Sequence, residues 1–281
     1  MTPDRMSPLQ ATPEQAPPHH THPHQASPDQ ATPGGATTGR ATSASPLVVA
    51  IDGPAASGKS STAQWVAREL GFLHADSGAL YRAATAARLR AGGDADDWSE
   101  ASVLDAARRL VSVVPGRTTF SCLLDGADAE EELRGEAVTR LVSRVAQMPG
   151  VRAWVNARVR ELAQTHSIVV DGRDIGTVVF PDAGLKIFLV ADSWERARRR
   201  LVQRLQRAPT EAEIAEETDR LVHRDAQDAT QTVQARDAVL IDTTHLTQPE
   251  QVERIVALAR AVQRGGGHLS EAGGGGERAR P

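Results

Sequence analysis

Residues 52–61 read DGPAASGKSS and follow the apolar run LVVAI at 47–51. Gly53, Gly58, Lys59 and Ser60 match the spacing G-x-x-x-x-G-K-[ST], set between an expected strand and an expected helix. Glycines let backbone N–H groups turn inward around phosphate oxygens, where a side chain would block approach. The helix that follows aims its positive dipole end at the same anion. Lys59 supplies a mobile charge for the β- and γ-phosphates, and the Ser60 hydroxyl suits Mg²⁺. Of 32 basic residues only Lys59 and Lys186 are lysines, so a lysine inside this loop is informative. Gly53, Pro54, Ala55, Ala56, Ser57, Gly58, Lys59, Ser60 and Ser61 are therefore read as a cradle for a nucleoside triphosphate.

Three further stretches carry chemistry. ADSGALYRAA places Asp76, Ser77, Tyr81 and Arg82 at the end of a second strand and into the next helix. VVDGRDIG places Asp171, Arg173 and Asp174 at another strand end, and HRDAQD adds Arg224 and Asp228 before the last strand. In an open parallel sheet those strand ends face one crevice. Phosphoryl transfer needs in-line positioning and charge neutralisation rather than a covalent partner. Several forked guanidinium groups converging on one crevice supply both. Asp171, directly after IVV, suits a ligand of Mg²⁺ or its water. The only asparagine is Asn156, so no guanine-reading [NT]-K-x-D element exists, and no LSGGQ-like signature marks a transporter ATPase. A small-molecule kinase remains.

The elements that must position these groups follow from periodicity. LVVAI (47–51), FLHA (72–75), SIVVDGRD (167–174), LKIFLVAD (185–192) and AVLIDTT (238–244) read as five short parallel strands. Thr62, Val66 and Leu70 share a helix face closed by Gly71, and Val252, Ile255, Ala259 and Val262 share a face of the closing helix. The expected fold is α/β, a doubly wound parallel five-stranded sheet. Between about 93 and 150 the pattern alternates, with turn signals at Pro115-Gly116 and Asp125-Gly126, as in a small antiparallel insertion.

Composition bounds the rest. Residues 1–45 are rich in Pro, Thr, Gln and His and lack apolar residues large enough for a core, so they are expected to be disordered. The Gly-rich end, 265–281, reads the same way, leaving a domain at 46–264. Without a rigid scaffold, His19, His20, His22 and His24 fix no metal geometry. A net charge of −4 argues against nucleic-acid or membrane-surface binding. A single cysteine, Cys122, allows no intrachain disulfide, fits a cytoplasmic compartment and reads as a small core residue. No apolar run is long enough for a membrane span. With no apolar surface pattern left unassigned, a monomer is expected.

DGPAASGKSS, DSGALYR and DGRDIGTVVFPDA together resemble the bacterial cytidylate kinase family, P-loop nucleoside monophosphate kinases, over about residues 47–262. The resemblance implies an ATP- and Mg²⁺-dependent enzyme making CDP or dCDP from CMP or dCMP. It implies that Ser77, Arg82, Arg173 and Arg224 hold the acceptor phosphate, with Tyr81 beside them. Ser143 and Arg152 would read cytosine, Asp174 would support that base site, and Asp228 would contact the sugar. Arg196, Arg199 and Arg200 would contact ATP from the lid, with Lys59, Arg173 and Arg224 acting on the transferring phosphoryl group. The insertion resembles the family's monophosphate-binding subdomain, and the resemblance implies a helical lid at about 194–225. One departure stands out: Gln231 replaces an arginine typical of the family, and Arg236 is the nearby cation expected to swing in. Two readings stay open beside this one, a kinase for another acceptor such as UMP or AMP, and a nucleotide-binding protein without turnover.

Overall fold

A computed structural model describes residues 46–265. Both tails expected to be disordered lie outside the described residues, apart from Gly265 itself. The β-branched run 48–52 forms β1 (Val48–Asp52), and the glycine loop leads into α1 (Lys59–Leu70). β2 (Leu73–Asp76) and α2 (Ser77–Arg90) follow, then α3 (Glu100–Leu110). Three short strands come next, β3 (Val111–Pro115), β4 (Phe120–Leu124) and β5 (Ala127–Asp128). They form a separate antiparallel sheet in the order β3-β4-β5. Helices α4 (Glu130–Arg134), α5 (Glu136–Ala146) and α6 (Pro149–Ala163) return the chain to β6 (Ile168–Asp171). The remaining elements are β7 (Leu185–Val190), α7 (Ser193–Leu205), α8 (Glu211–Asp228), β8 (Val239–Asp242) and α9 (Gln248–Gly265).

The main sheet is parallel throughout, in the order β2-β6-β1-β7-β8. β1 lies at its centre, and the order reverses there, so β1 and β6 end side by side at the switch point where α/β sheets bind ligands. Alternation along β1 sends Val49 and Ile51 to one face and Ala50 to the other. On the first face Leu185, Ile187 and Leu189 join them and pack against Val66 of α1 and Ile255 of α9. The opposite face carries Ile168 and Val170 under Leu80, Val155 and Trp154. Gly71 ends α1 in the left-handed conformation, φ 69°, with its N–H bonded back to the helix.

Among the described residues no helix is long and apolar enough to cross a membrane. Cys122 packs among apolar residues beside the small sheet, and burial pushes its thiol up to about 12, which disfavours the thiolate.

Ile255 is fully buried between α9 and the sheet. Ile255→Ala is expected to cost about 2–5 kcal/mol, read as a lower urea midpoint at unchanged slope. An unmoved midpoint would contradict this packing.

Candidate active site

The phosphate loop is shaped by contacts that exclude side chains. Gly53 has φ +146°, and a Cβ there would lie 2.1 Å from the Leu189 carbonyl oxygen of β7. Gly58 opens α1 at φ +88° and offers no side-chain cap. The first N–H groups of α1 therefore stay available to an anion. Lys59 Nζ donates to the Pro54 carbonyl at 2.5 Å and to Ser57 Oγ at 3.3 Å, folding the lysine over its own loop. Burial, then the neighbouring Arg173 charge, lowers Lys59 to about 7.

The turn after β6 is fastened to the same loop. The Asp52 carboxylate accepts from Ile175 N at 2.8 Å and Gly176 N at 2.7 Å, and burial raises its pKa to about 6. Those two residues begin a single π-helical turn, Ile175–Val179, which directs the Arg173–Asp174 corner over the loop. Arg173 Nη1 donates to the Gly53 carbonyl at 2.9 Å, while its Nε and Nη2 donate to Asp228 of α8 at 3.2 and 3.0 Å. One guanidinium thus joins the loop, the β6 turn and α8.

Around this junction lies one cleft of about 1120 Å³. Of the residues named from sequence, it brings together Ala55, Ala56, Gly58, Lys59, Ser60, Ser61, Ser77, Tyr81, Arg82, Ser143, Arg152, Asp171, Arg173, Asp174, Arg199, Arg200, Arg224 and Asp228. Nine basic side chains line it against five acidic ones, in a chain whose net charge is −4. Such a cleft concentrates polyanions that the rest of the surface repels.

The arginines come from several elements. Arg82 of α2 reaches the carbonyl of Leu133 and Thr139 Oγ1 of the small helices, at 3.3 and 3.1 Å. Arg152 of α6 pairs with Asp174 and also donates to the Ala146 carbonyl and to Gln231 Oε1, at 3.2 and 3.0 Å. Burial and then Arg173 lower Arg224, whose buried Nε has no hydrogen-bond partner. Arg199 donates to the carbonyls of Thr243 and Thr244, at 2.7 and 2.9 Å, fixing α7 to the end of β8. Ser77 Oγ donates to the Asp171 carbonyl at 2.8 Å, and burial raises Tyr81 to about 12.

Ser60 Oγ donates to Asp171 Oδ2 at 2.6 Å. Two hard oxygen donors in contact, both lining the cleft, fit Mg²⁺. Among the described residues there is no cluster of three His, Cys, Asp or Glu that would hold a metal alone.

Some sequence-named residues lie elsewhere. Gly53, Pro54 and Ser57 shape the loop from behind the cleft wall. Arg196 does not face the cleft: it is buried, donates to the Ala55 carbonyl at 2.7 Å and pairs with Asp225 at 2.7 Å. It is a strut under the loop, because Asp225 also accepts from Ala55 N and fixes the guanidinium there. Arg236, named from sequence as a substitute for the missing arginine, is exposed and lies outside the cleft. Gln231 itself lines the cleft and engages Arg152. Asp76, Arg134 and Arg198 also line it without having been assigned a role from sequence. Asp76 caps α2 through Ala79 N, a signal present in ADSGA; in so arginine-rich a chain nothing marks Arg134 or Arg198.

The sequence profile of the family described as cytidylate kinase matches residues 49–261. A cytidylate kinase of Limosilactobacillus reuteri is 39% identical over 222 residues, covering 77% of this chain and 96% of that protein. One from Caldanaerobacter subterraneus is 40% identical over 221 residues, with 77% and 96% covered. Among solved structures, a shikimate kinase from Bacteroides thetaiotaomicron aligns with a TM-score of 0.40 at 15% identity, over 78% of this chain and 98% of that one.

The lowered Lys59 gives binding a proton signature. About one unit above its value of about 7, the free lysine is mostly neutral, and arriving phosphates favour the charged form. ATP binding there is expected to take up close to one proton, fading as pH falls through that value. Calorimetry in buffers of different ionisation enthalpy measures it. Uptake that is absent, or unchanged in Lys59→Met, would contradict the shift.

Proposed function

The chain belongs to the cytidylate kinase family and is a phosphotransferase that makes CDP or dCDP from CMP or dCMP; from that premise we propose how its own residues divide the work. The loop 53–61 and Lys59 hold the ATP phosphates, and α7 contributes Arg199 and Arg200 from the donor side. Ser77, Arg82, Arg173 and Arg224 hold the acceptor phosphate beside Tyr81. Ser143, Arg152 and Asp174 face the base, and Asp228 faces the sugar while anchoring Arg173. The observation that carries this reading is Arg173, whose guanidinium touches both the Gly53 carbonyl and Asp228. A group so placed meets both phosphates at once, which is what in-line transfer requires.

Ser60 and Asp171 would hold Mg²⁺, which would supply positive charge to offset that of the phosphates. Within a domain spanning 46–264, residues about 93–150 serve as the monophosphate-binding insert. Its helices supply Ser143 and the Arg82 contacts. Residues about 194–225 act as the lid, closing over ATP to limit hydrolysis. The working unit is a monomer in this reading, since the sequence leaves no long apolar surface pattern unassigned. An ATP-dependent reaction and a single cysteine support a cytoplasmic setting.

A coupled assay across CMP, dCMP, UMP, AMP and GMP tests the acceptor; CMP and dCMP are expected to lead, and a preference for UMP or AMP would overturn the base-site assignment. Lys59→Ala is expected to lower kcat by about 10²–10³-fold or more with the thermal midpoint retained. Wild-type turnover in that variant would reject the loop's role.

A further inference from the structure

β2 and β6 run parallel with Asp76 directly opposite Asp171. Two carboxylates facing each other across neighbouring strands repel, and Asp171, nearly fully buried, has little water to relieve it. Its two oxygens are divided between two side-chain donors. Oδ2 accepts from Ser60 Oγ at 2.6 Å, and Oδ1 is bonded to His74 Nε2 at 2.7 Å. A carboxylate held on one oxygen turns about its Cβ–Cγ bond; one held from both sides has a fixed plane. His74 lies two residues before Asp76 on β2, hence on the same face and diagonal to Asp171.

His74 is itself fixed from behind. It is buried, its Nδ1 lies 3.3 Å from Thr119 Oγ1, and its backbone N–H donates to the Thr118 carbonyl at 2.9 Å. Thr119 Oγ1 in turn donates to the His74 carbonyl at 3.2 Å. The imidazole is therefore pinned by the segment that opens β4 of the small sheet, and it passes that restraint to the floor of the phosphate cleft. The direct cleft contacts assigned above do not use His74, and it does not line the cleft.

We infer that His74 is a positioning residue, which holds Asp171 in the orientation that presents its oxygen, with Ser60, to the divalent cation. The inference rests on the proposed metal role of Ser60 and Asp171. Outer contacts of this kind orient ligating groups, and their loss weakens metal binding by about 10–100-fold. His74 acts through Asp171 and touches neither nucleotide.

The test measures Mn²⁺ affinity by EPR in the full-length protein saturated with a non-hydrolysable ATP analogue. His74→Leu, which removes the donor, is expected to weaken Mn²⁺ by about tenfold or more while analogue affinity without metal is unchanged. His74→Gln, whose amide reaches where Nε2 lay, is expected to recover most of that affinity. Should His74→Leu not fold, His74→Asn, whose amide falls short of Asp171, takes its place against His74→Gln. Wild-type Mn²⁺ affinity in His74→Leu or His74→Asn, alongside weakened affinity in Asp171→Asn, would overturn the role of His74 alone. Wild-type affinity in Asp171→Asn would overturn the metal assignment, and the positioning role with it.

Discussion

Assembling cations before any phosphate arrives is unfavourable, and that constraint organises this molecule. Lys59, Arg173, Arg224 and their neighbours repel one another inside a partly dry cleft, enough for burial and Arg173 to lower both Lys59 and Arg224. The fold answers with carboxylates and carbonyls placed one step behind each cation. Asp228 and the Gly53 carbonyl hold Arg173, Asp174 holds Arg152, and the Thr243 and Thr244 carbonyls hold Arg199. The guanidinium planes are thus oriented in advance, and phosphate binding need not order them.

The same logic explains which parts of the scaffold are rigid. The parallel sheet brings the ends of β1, β2 and β6 to one edge, and Asp52 clamps the turn after β6 to the end of β1. Behind the loop, Arg196 and Asp225 brace Ala55 from both its carbonyl and its N–H. Helices α2, α4 and α6 on one side, and α7 and α8 on the other, carry the arginines that approach the cleft.

Much of this was legible in the sequence because it rests on local rules. Strand ends, the glycine loop and the helix faces follow from periodicity and from residues with special backbone needs, such as Gly53 pressed against Leu189. The direction in which an arginine points is not local. Arg196 and Arg199 are one helical turn apart on α7, yet one is a buried strut and the other lines the cleft. Arg236 is near Gln231 in sequence, yet lies outside the cleft that Gln231 lines. FLHA reads from sequence only as a short strand; the register of β2 on β6 is what brings His74 to Asp171. The π-helical turn after Asp174 has no sequence signature and emerges only once Asp52 is placed.

The convergence of donor and acceptor cations on one cleft is tested most directly by calorimetry with an analogue joining adenosine to cytidine through a polyphosphate chain. A shared cleft requires that one analogue molecule bind per chain, more tightly than ATP or CMP alone, and that it exclude both. Continued binding of CMP or ATP to the saturated complex would show two separate sites and contradict the shared cleft.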